Sequence, residues 1–260
     1  ESARRADRPA AGRESGMTYC VGLLLDRGMV MLADTRTNAG LDNIATYRKQ
    51  FVFEVPGERV VAIMTAGSLS VTQTTLARLR EAIEDDSADE DGSILRAQTM
   101  LKVAGIIGRT LAEVTAEISE KLVRMKQGAS ASMIVGGQRR GGDMRMFLIY
   151  PEGNFIEATE DTPFLQIGEH KYGKPILDRV ARPEMSLGDA AKLILLSFDS
   201  TLRSNLSVGM PIDILLYERD SLDARREKRI FQDDEYFKKL SGAWSDALRT
   251  AFASIEEFKI

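Results

Sequence analysis

Cysteine and histidine each occur once in these 260 residues, as Cys20 and His170. A lone cysteine excludes an internal disulfide and suits a reducing compartment, so a cytoplasmic setting is expected. A lone histidine leaves a histidine-based metal site or a Ser-His-Asp triad hard to assemble, and no metal or cofactor is expected. No apolar run approaches the ~20 residues that cross a bilayer. The N-terminus carries charges but no hydrophobic stretch, so no secretory signal is expected. With 35 Lys and Arg against 39 Asp and Glu, the net charge is −4, which disfavours a nucleic-acid surface or a polybasic membrane anchor. No internal repeat and no break in composition marks a second domain. Residues 1–16 are polar and aperiodic, so they read as a disordered tail, a tag or a removable pro-segment. Residues 17–260 are expected to form a single domain.

What the chain does contain begins with Met17-Thr18-Tyr19-Cys20-Val21-Gly22-Leu23-Leu24-Leu25-Asp26. Its β-branched, aromatic and aliphatic residues read as a strand, ended by the turn Asp26-Arg27-Gly28. The run 29–33 follows at once and ends in Asp34. A hairpin of these two segments brings Asp34 back beside Thr18. After a polar link over 37–43, strands are expected at about 47–55 and 59–66, joined by the turn Pro56-Gly57-Glu58. The second of these is almost wholly apolar, as for a strand covered on both faces. Gly67-Ser68 then opens a helix to about 84, with Ser68 as its N-cap.

Residues 84–91 form an acidic loop without a calcium-loop pattern, best read as a solvated connection. Apolar residues at helical spacing predict a long helix over about 93–126, including Ile94, Ala97, Leu101 and Ala104. Gly105 and Gly108 near its middle allow close approach or bending. Strands follow at about 130–137, 144–150, 154–158 and 163–168, and the glycine-rich segment 136–142 is read as a hairpin rather than a phosphate loop. Helices are expected at about 171–181 and 187–204, a strand at 211–217, an edge at 229–231 and a closing helix at about 233–258. This order predicts an α+β fold with two sheets packed between helical layers.

The chemistry gathers at a few positions. If Met17 is removed, Thr18 holds both a hydroxyl nucleophile and, as its own α-amine, a general base. A free α-amine titrates near ~7.7–8, which suits that work. The Lys49 ammonium would lower the hydroxyl pKa, Asp34 would hold the lysine, and an amide at Gly67 would stabilise an oxyanion. Singly, these residues are an ordinary strand threonine, a turn aspartate, a solvated edge lysine and a strand-to-helix glycine. Cys20 shares the face of Thr18 and reads as a small packed thiol, and the methionines as fillers of core gaps.

Taken together with the strings around them, they form a pattern. The segments M-T-Y-C-V-G, L-A-D-T-R-T-N-A-G, Y-R-K-Q, M-T-A-G-S-L-S, I-G-E-H-K-Y-G-K and L-R-S-N-L-S-V-G-M-P-I-D resemble N-terminal-nucleophile (Ntn) hydrolases of the proteasome β-subunit type. More narrowly they resemble the bacterial Anbu (ancestral beta-subunit) group. The resemblance implies a four-layer αββα sandwich with a C-terminal helical extension, Thr18 as nucleophile and base, Asp34 and Lys49 as activators, and the Gly67 amide as oxyanion donor. It also implies side-chain contacts from Thr37, Tyr47, Thr65 and Leu69, a ring or stacked homo-oligomer, a peptide or unfolded-protein substrate and an unidentified ATPase. The sequence departs from the general pattern at three places. Glu169 stands where a supporting serine is expected, the usual aspartate–serine pair has only Asp199 and Ser204 as nearest candidates, and Met17 replaces the glycine before the nucleophile. These departures bear on catalytic efficiency more than on fold. They keep open a non-hydrolytic assembly or binding protein, and an amidase acting on a small amide, beside a threonine peptidase.

Overall fold

The computed structural model describes residues 18–38, 44–122 and 129–259. The expected tail over 1–16, Met17, most of the link over 37–43 and the predicted helix end near 126 lie outside them. Strands β1 (Tyr19–Leu25) and β2 (Gly28–Asp34) form the predicted hairpin, with Cys20 opposite Ala33. A short pair, β3 (Arg36–Asn38) and β4 (Ile44–Thr46), occupies the ends of what reads in sequence as a polar link. Strands β5 (Gln50–Val55) and β6 (Arg59–Gly67) follow, then helices α1 (Leu69–Glu84) and α2 (Met100–Leu122). Next come β7 (Ala131–Arg139), β8 (Arg145–Ile149), β9 (Phe155–Glu157) and β10 (Phe164–Gly168). Helices α3 (Lys174–Val180) and α4 (Leu187–Ser204), strands β11 (Ile212–Glu218) and β12 (Glu227–Ile230), and helix α5 (Glu235–Ser254) complete the order.

Two five-stranded antiparallel sheets result, ordered β10-β1-β2-β11-β12 and β5-β6-β7-β8-β9. Helices α1 and α2 cover the outer face of the second sheet, and α3 and α4 that of the first, giving the αββα sandwich. Strands β2 and β6 are buried on both faces along nearly their whole length, which is why they read as unbroken apolar runs. Between the sheets, methionines fill the space above glycines. A Cβ on Gly22 would sit 2.7 Å from the Met146 sulfur, and one on Gly136 would sit 2.9 Å from that of Met29. Thioether chains are flexible enough to take up such irregular gaps.

Helix boundaries differ from the sequence pattern where loop carbonyls find other partners. The predicted start of α2 near 93 is wrong, because residues 93–99 form turns before Met100. The Arg59 guanidinium donates to the carbonyls of Ile94 and Ala97 at 3.4 and 2.8 Å, and Thr99 Oγ1 accepts from the Lys102 amide as the N-cap. That break shifts the apolar stripe, so Leu101 is exposed while Met100 and Val103 are buried. Gly108 packs directly on the Gly153 backbone, whereas Gly105 faces open space apart from one arginine side chain. Ser68 stands at the N-cap of α1 but makes no capping bond, and its hydroxyl lies 3.0 Å from that of Ser70. Helix α3 starts three residues late, at a segment with Pro175 in its first turn. Helix α5 begins at its Asp234 cap and ends at Ser254, four residues short of the expected end.

Candidate active site

The start of β1 is held from three sides. Tyr19 is fully buried, donates its hydroxyl to Ser197 Oγ at 2.7 Å and meets the Phe198 ring edge-on, which ties the start of β1 to α4. On the strand side, the Thr18 carbonyl accepts the Glu169 amide at 2.6 Å. Gly168, at φ +83°, allows this approach, because a Cβ there would overlap the Thr18 carbonyl oxygen.

Asp34 closes the third side. Its Oδ1 accepts from the Tyr19 amide at 2.9 Å and from Lys49 Nζ at 2.8 Å. Both donors share one oxygen, so the ammonium stands no more than two hydrogen-bond lengths from the amide that follows Thr18. Lys49 also donates to the Arg36 carbonyl at 2.6 Å. All three members are buried: Thr18 at 6% exposure, Asp34 at 0% and Lys49 at 6%. Burial pushes the Asp34 carboxyl above its ordinary range, against the pull of the Lys49 ammonium and of the Tyr19 and Gly209 amides. Lys49 lies just before β5 rather than within it, and its carbonyl accepts the Thr65 amide at 2.9 Å, which ties it to β6.

Gly67 ends β6 at φ +105°, where a Cβ would overlap the Ser130 carbonyl. Amides alternate in direction along a strand. The Thr65 amide points to Lys49 and the Ser68 amide to Ser130, so the Gly67 amide faces the Lys49 side, beyond the last β5–β6 rung at Gln50–Met64. Cys20 is buried behind this edge, its thiol 3.6 Å from the Thr65 carbonyl and pushed up by burial, as for a packed thiol.

A cavity of about 350 Å³ opens beside the Lys49 segment, lined in part by Tyr47, Thr65 and Leu69. Thr37, on β3, is not in its wall. A larger cavity of about 580 Å³ lies between β10 and α3, with His170 in its wall and none of the predicted contact residues. The supporting residues separate. Asp199 is buried on α4 and pairs with Arg203 at 3.2 Å, and Ser204 is exposed at the end of that helix. Neither is joined to Thr18 by a hydrogen bond among the described residues. Asn205 instead bridges this region: its Nδ2 donates to Glu169 Oε2 at 2.9 Å, and its Oδ1 accepts the Ser207 amide. The loop it begins is clamped to β3 and the residue before it, through Arg36 to the Leu206 carbonyl and Thr35 to the Pro211 carbonyl. Asn205 lies within one of the strings that carried the sequence resemblance, but a role for it shows only once Glu169 is seen beside it.

The two-sheet fold matches a known family. Residues 14–215 match the proteasome subunit family. The chain belongs to that family. Among solved structures, a Gly-1 mutant of Anbu from Hyphomicrobium sp. strain MC1 is 56% identical, covers 94% of this chain and 100% of its own, and has a TM-score of 0.87. Anbu from Yersinia bercovieri is 40% identical over 94% and 100% of the two chains, with a TM-score of 0.87. A helical assembly of the Anbu complex from Pseudomonas aeruginosa is 45% identical over 93% and 98%, with a TM-score of 0.88. No curated protein matches. Such identities over nearly whole chains place this proteasome-family member beside Anbu. Among the described residues no helix is long and apolar enough to cross a membrane.

Proposed function

We propose that this protein is a proteasome-like threonine hydrolase that cleaves peptide bonds once Thr18 becomes the first residue. The observation that carries this reading is the single carboxylate oxygen of Asp34, shared by the Lys49 ammonium and the Tyr19 amide. With Met17 gone, the Thr18 α-amine takes the proton of its own Oγ1 through the geometry one residue imposes, and the oxygen attacks the substrate carbonyl. The Lys49 cation lowers the cost of the developing alkoxide, Asp34 holds that cation, and the Gly67 amide receives the oxyanion. Collapse forms an ester on Thr18 and returns the proton to the leaving amine. Water then repeats the sequence and frees the acid.

A homo-oligomer, ring or stacked, is part of this reading. It is supported by the helical assembly named for the Pseudomonas relative and by the outer half of α5 and the residues after it, where Leu248, Phe252, Ile255 and Phe258 are exposed. A cytoplasmic site and an ATPase that feeds unfolded chains complete it. One observation favours a non-hydrolytic assembly protein instead. Glu169 offers no hydroxyl, and its carboxylate is engaged by Asn205 and by the Lys171 amide. Intact-mass analysis of chain beginning at Thr18, treated with a β-lactone or epoxyketone, separates the two. An adduct that vanishes in Thr18→Ala supports the hydrolase; correctly exposed chain that forms none favours the assembly protein. Peptide and small-amide panels then divide peptidase from amidase.

A further inference from the structure

The cavity beside Lys49 carries charges that the contact residues expected from sequence, Thr37, Tyr47, Thr65 and Leu69, do not include. Its wall includes two arginines, Arg48 and Arg80, and no carboxylate. Arg48 is partly answered already: Asp213 and Glu227 lie 3.9 and 3.8 Å from it, although Asp213 is chiefly held by Arg229 in a two-bond fork. Arg80 has no such neighbour, because no carboxylate among the described residues comes within ion-pairing distance of it. Its guanidinium lies over the rings of Phe51 and Phe53, at 5.4 and 5.9 Å from their centres. Such cation–π contacts hold the guanidinium beside the rings without using its N–H donors. In a chain where acids outnumber bases, an arginine held on aromatic rings in the wall of a cavity, with no acid beside it among the described residues, is suited to an anion.

We propose that this cavity selects a substrate with an acidic side chain, glutamate or aspartate, on the residue whose carbonyl Thr18 attacks, and that Arg80 is the specificity-determining residue. The proposal rests on the hydrolase reading above for the identity of its ligand. Tyr47, Phe51 and Leu76 supply an apolar sleeve for the methylene stem, and the Arg80 fork takes the carboxylate in a charge-assisted pair. Thr72 contributes little to this recognition, since its hydroxyl already donates to the Leu69 carbonyl at 3.1 Å. A lysine-bearing substrate meets two cations here and is rejected.

The test measures binding without turnover, on the full chain carrying Thr18→Ala. Acetylated tetrapeptides differing only in a last residue of Glu, Gln, Leu or Lys are titrated by fluorescence anisotropy, so all share the same terminal carboxylate. The Glu peptide is expected to bind about tenfold more tightly than the Gln peptide, by the strength of a charge-assisted bond, with the gap narrowing at high salt. Arg80→Gln should remove that gap, and Arg80→Glu should turn the preference toward Lys. Equal or tighter binding of the Leu peptide, an unchanged gap in Arg80→Gln, or no saturable binding of any of the four overturns the proposal. The hydrolase reading fails separately, by the absence of an adduct on exposed Thr18, so the two failures do not look alike.

Discussion

The two walls of the site are built from opposite materials. On one side Asp34 and Lys49 are a buried ion pair tied into β1, β3 and β6 by backbone bonds. On the other, Tyr47 is 39% exposed and Arg80 stands at the surface of α1 over two rings. Charge in the interior acts strongly because little solvent screens it, but removing either member leaves the other uncompensated. A surface wall can be rebuilt with small effect on stability. On the proposed reading, chemistry sits where change is costly, and selection where change is cheap.

The sharpest way to break this comparison is Lys49→Ala. It should lower unfolding stability by about 3–5 kcal/mol, as for a buried pair with one partner removed, and abolish the Thr18 adduct. The double variant Lys49→Met with Asp34→Asn keeps an acceptor for the Tyr19 amide and should recover much of that stability without the adduct. Urea unfolding and intact mass read both. A double variant no more stable than Lys49→Ala would mean that the buried wall is not held by charge pairing. Next in size is pH: adduct formation should fall about tenfold per unit below the amine pKa of ~7.7–8. A rate flat from pH 6 to 8 would remove the α-amine from its role as base.

Gly168→Ala tests the seat of Thr18. The positive φ and the overlap with the Thr18 carbonyl should together cost about 1–3 kcal/mol, seen as a lower urea midpoint at unchanged slope. Asn205→Ala removes the bridge to Glu169 and should cost about 1 kcal/mol at this half-exposed position, read by the same titration. Arg80→Gln should shift stability by less than about 0.5 kcal/mol, because the Arg80 side chain is exposed. A large loss there would make Arg80 a structural residue and erase the contrast between the walls.

Much of this was legible in the chain. The β1–β2 hairpin follows from two apolar runs around a tight turn, and it alone brings Asp34 to the start of β1. The span of α1 follows from spacing, and that of α4 from spacing together with a capping serine, whose hydroxyl accepts the Asp189 amide at 3.1 Å. The start of helix α2 is not legible in sequence because Arg59, distant in the chain, takes the carbonyls that a helical turn would have used. Asn205 carries no signal in sequence because its bridge from Glu169 to Ser207 exists only in three dimensions. The resemblance points to Tyr47, Thr65 and Leu69, which line the cavity, and not to Arg80, because a helix arginine looks solvated until the rings beneath it are known.

Local order along the chain determined the strands, most helices and the nucleophile candidate, since apolar period and turn chemistry act over a few residues. Tertiary structure decided which charges are buried together, which amides face the candidate site and which cavity arginine has no acid beside it among the described residues. Those depend on distance and solvent between segments far apart in the chain, and no stretch of sequence carries that information by itself.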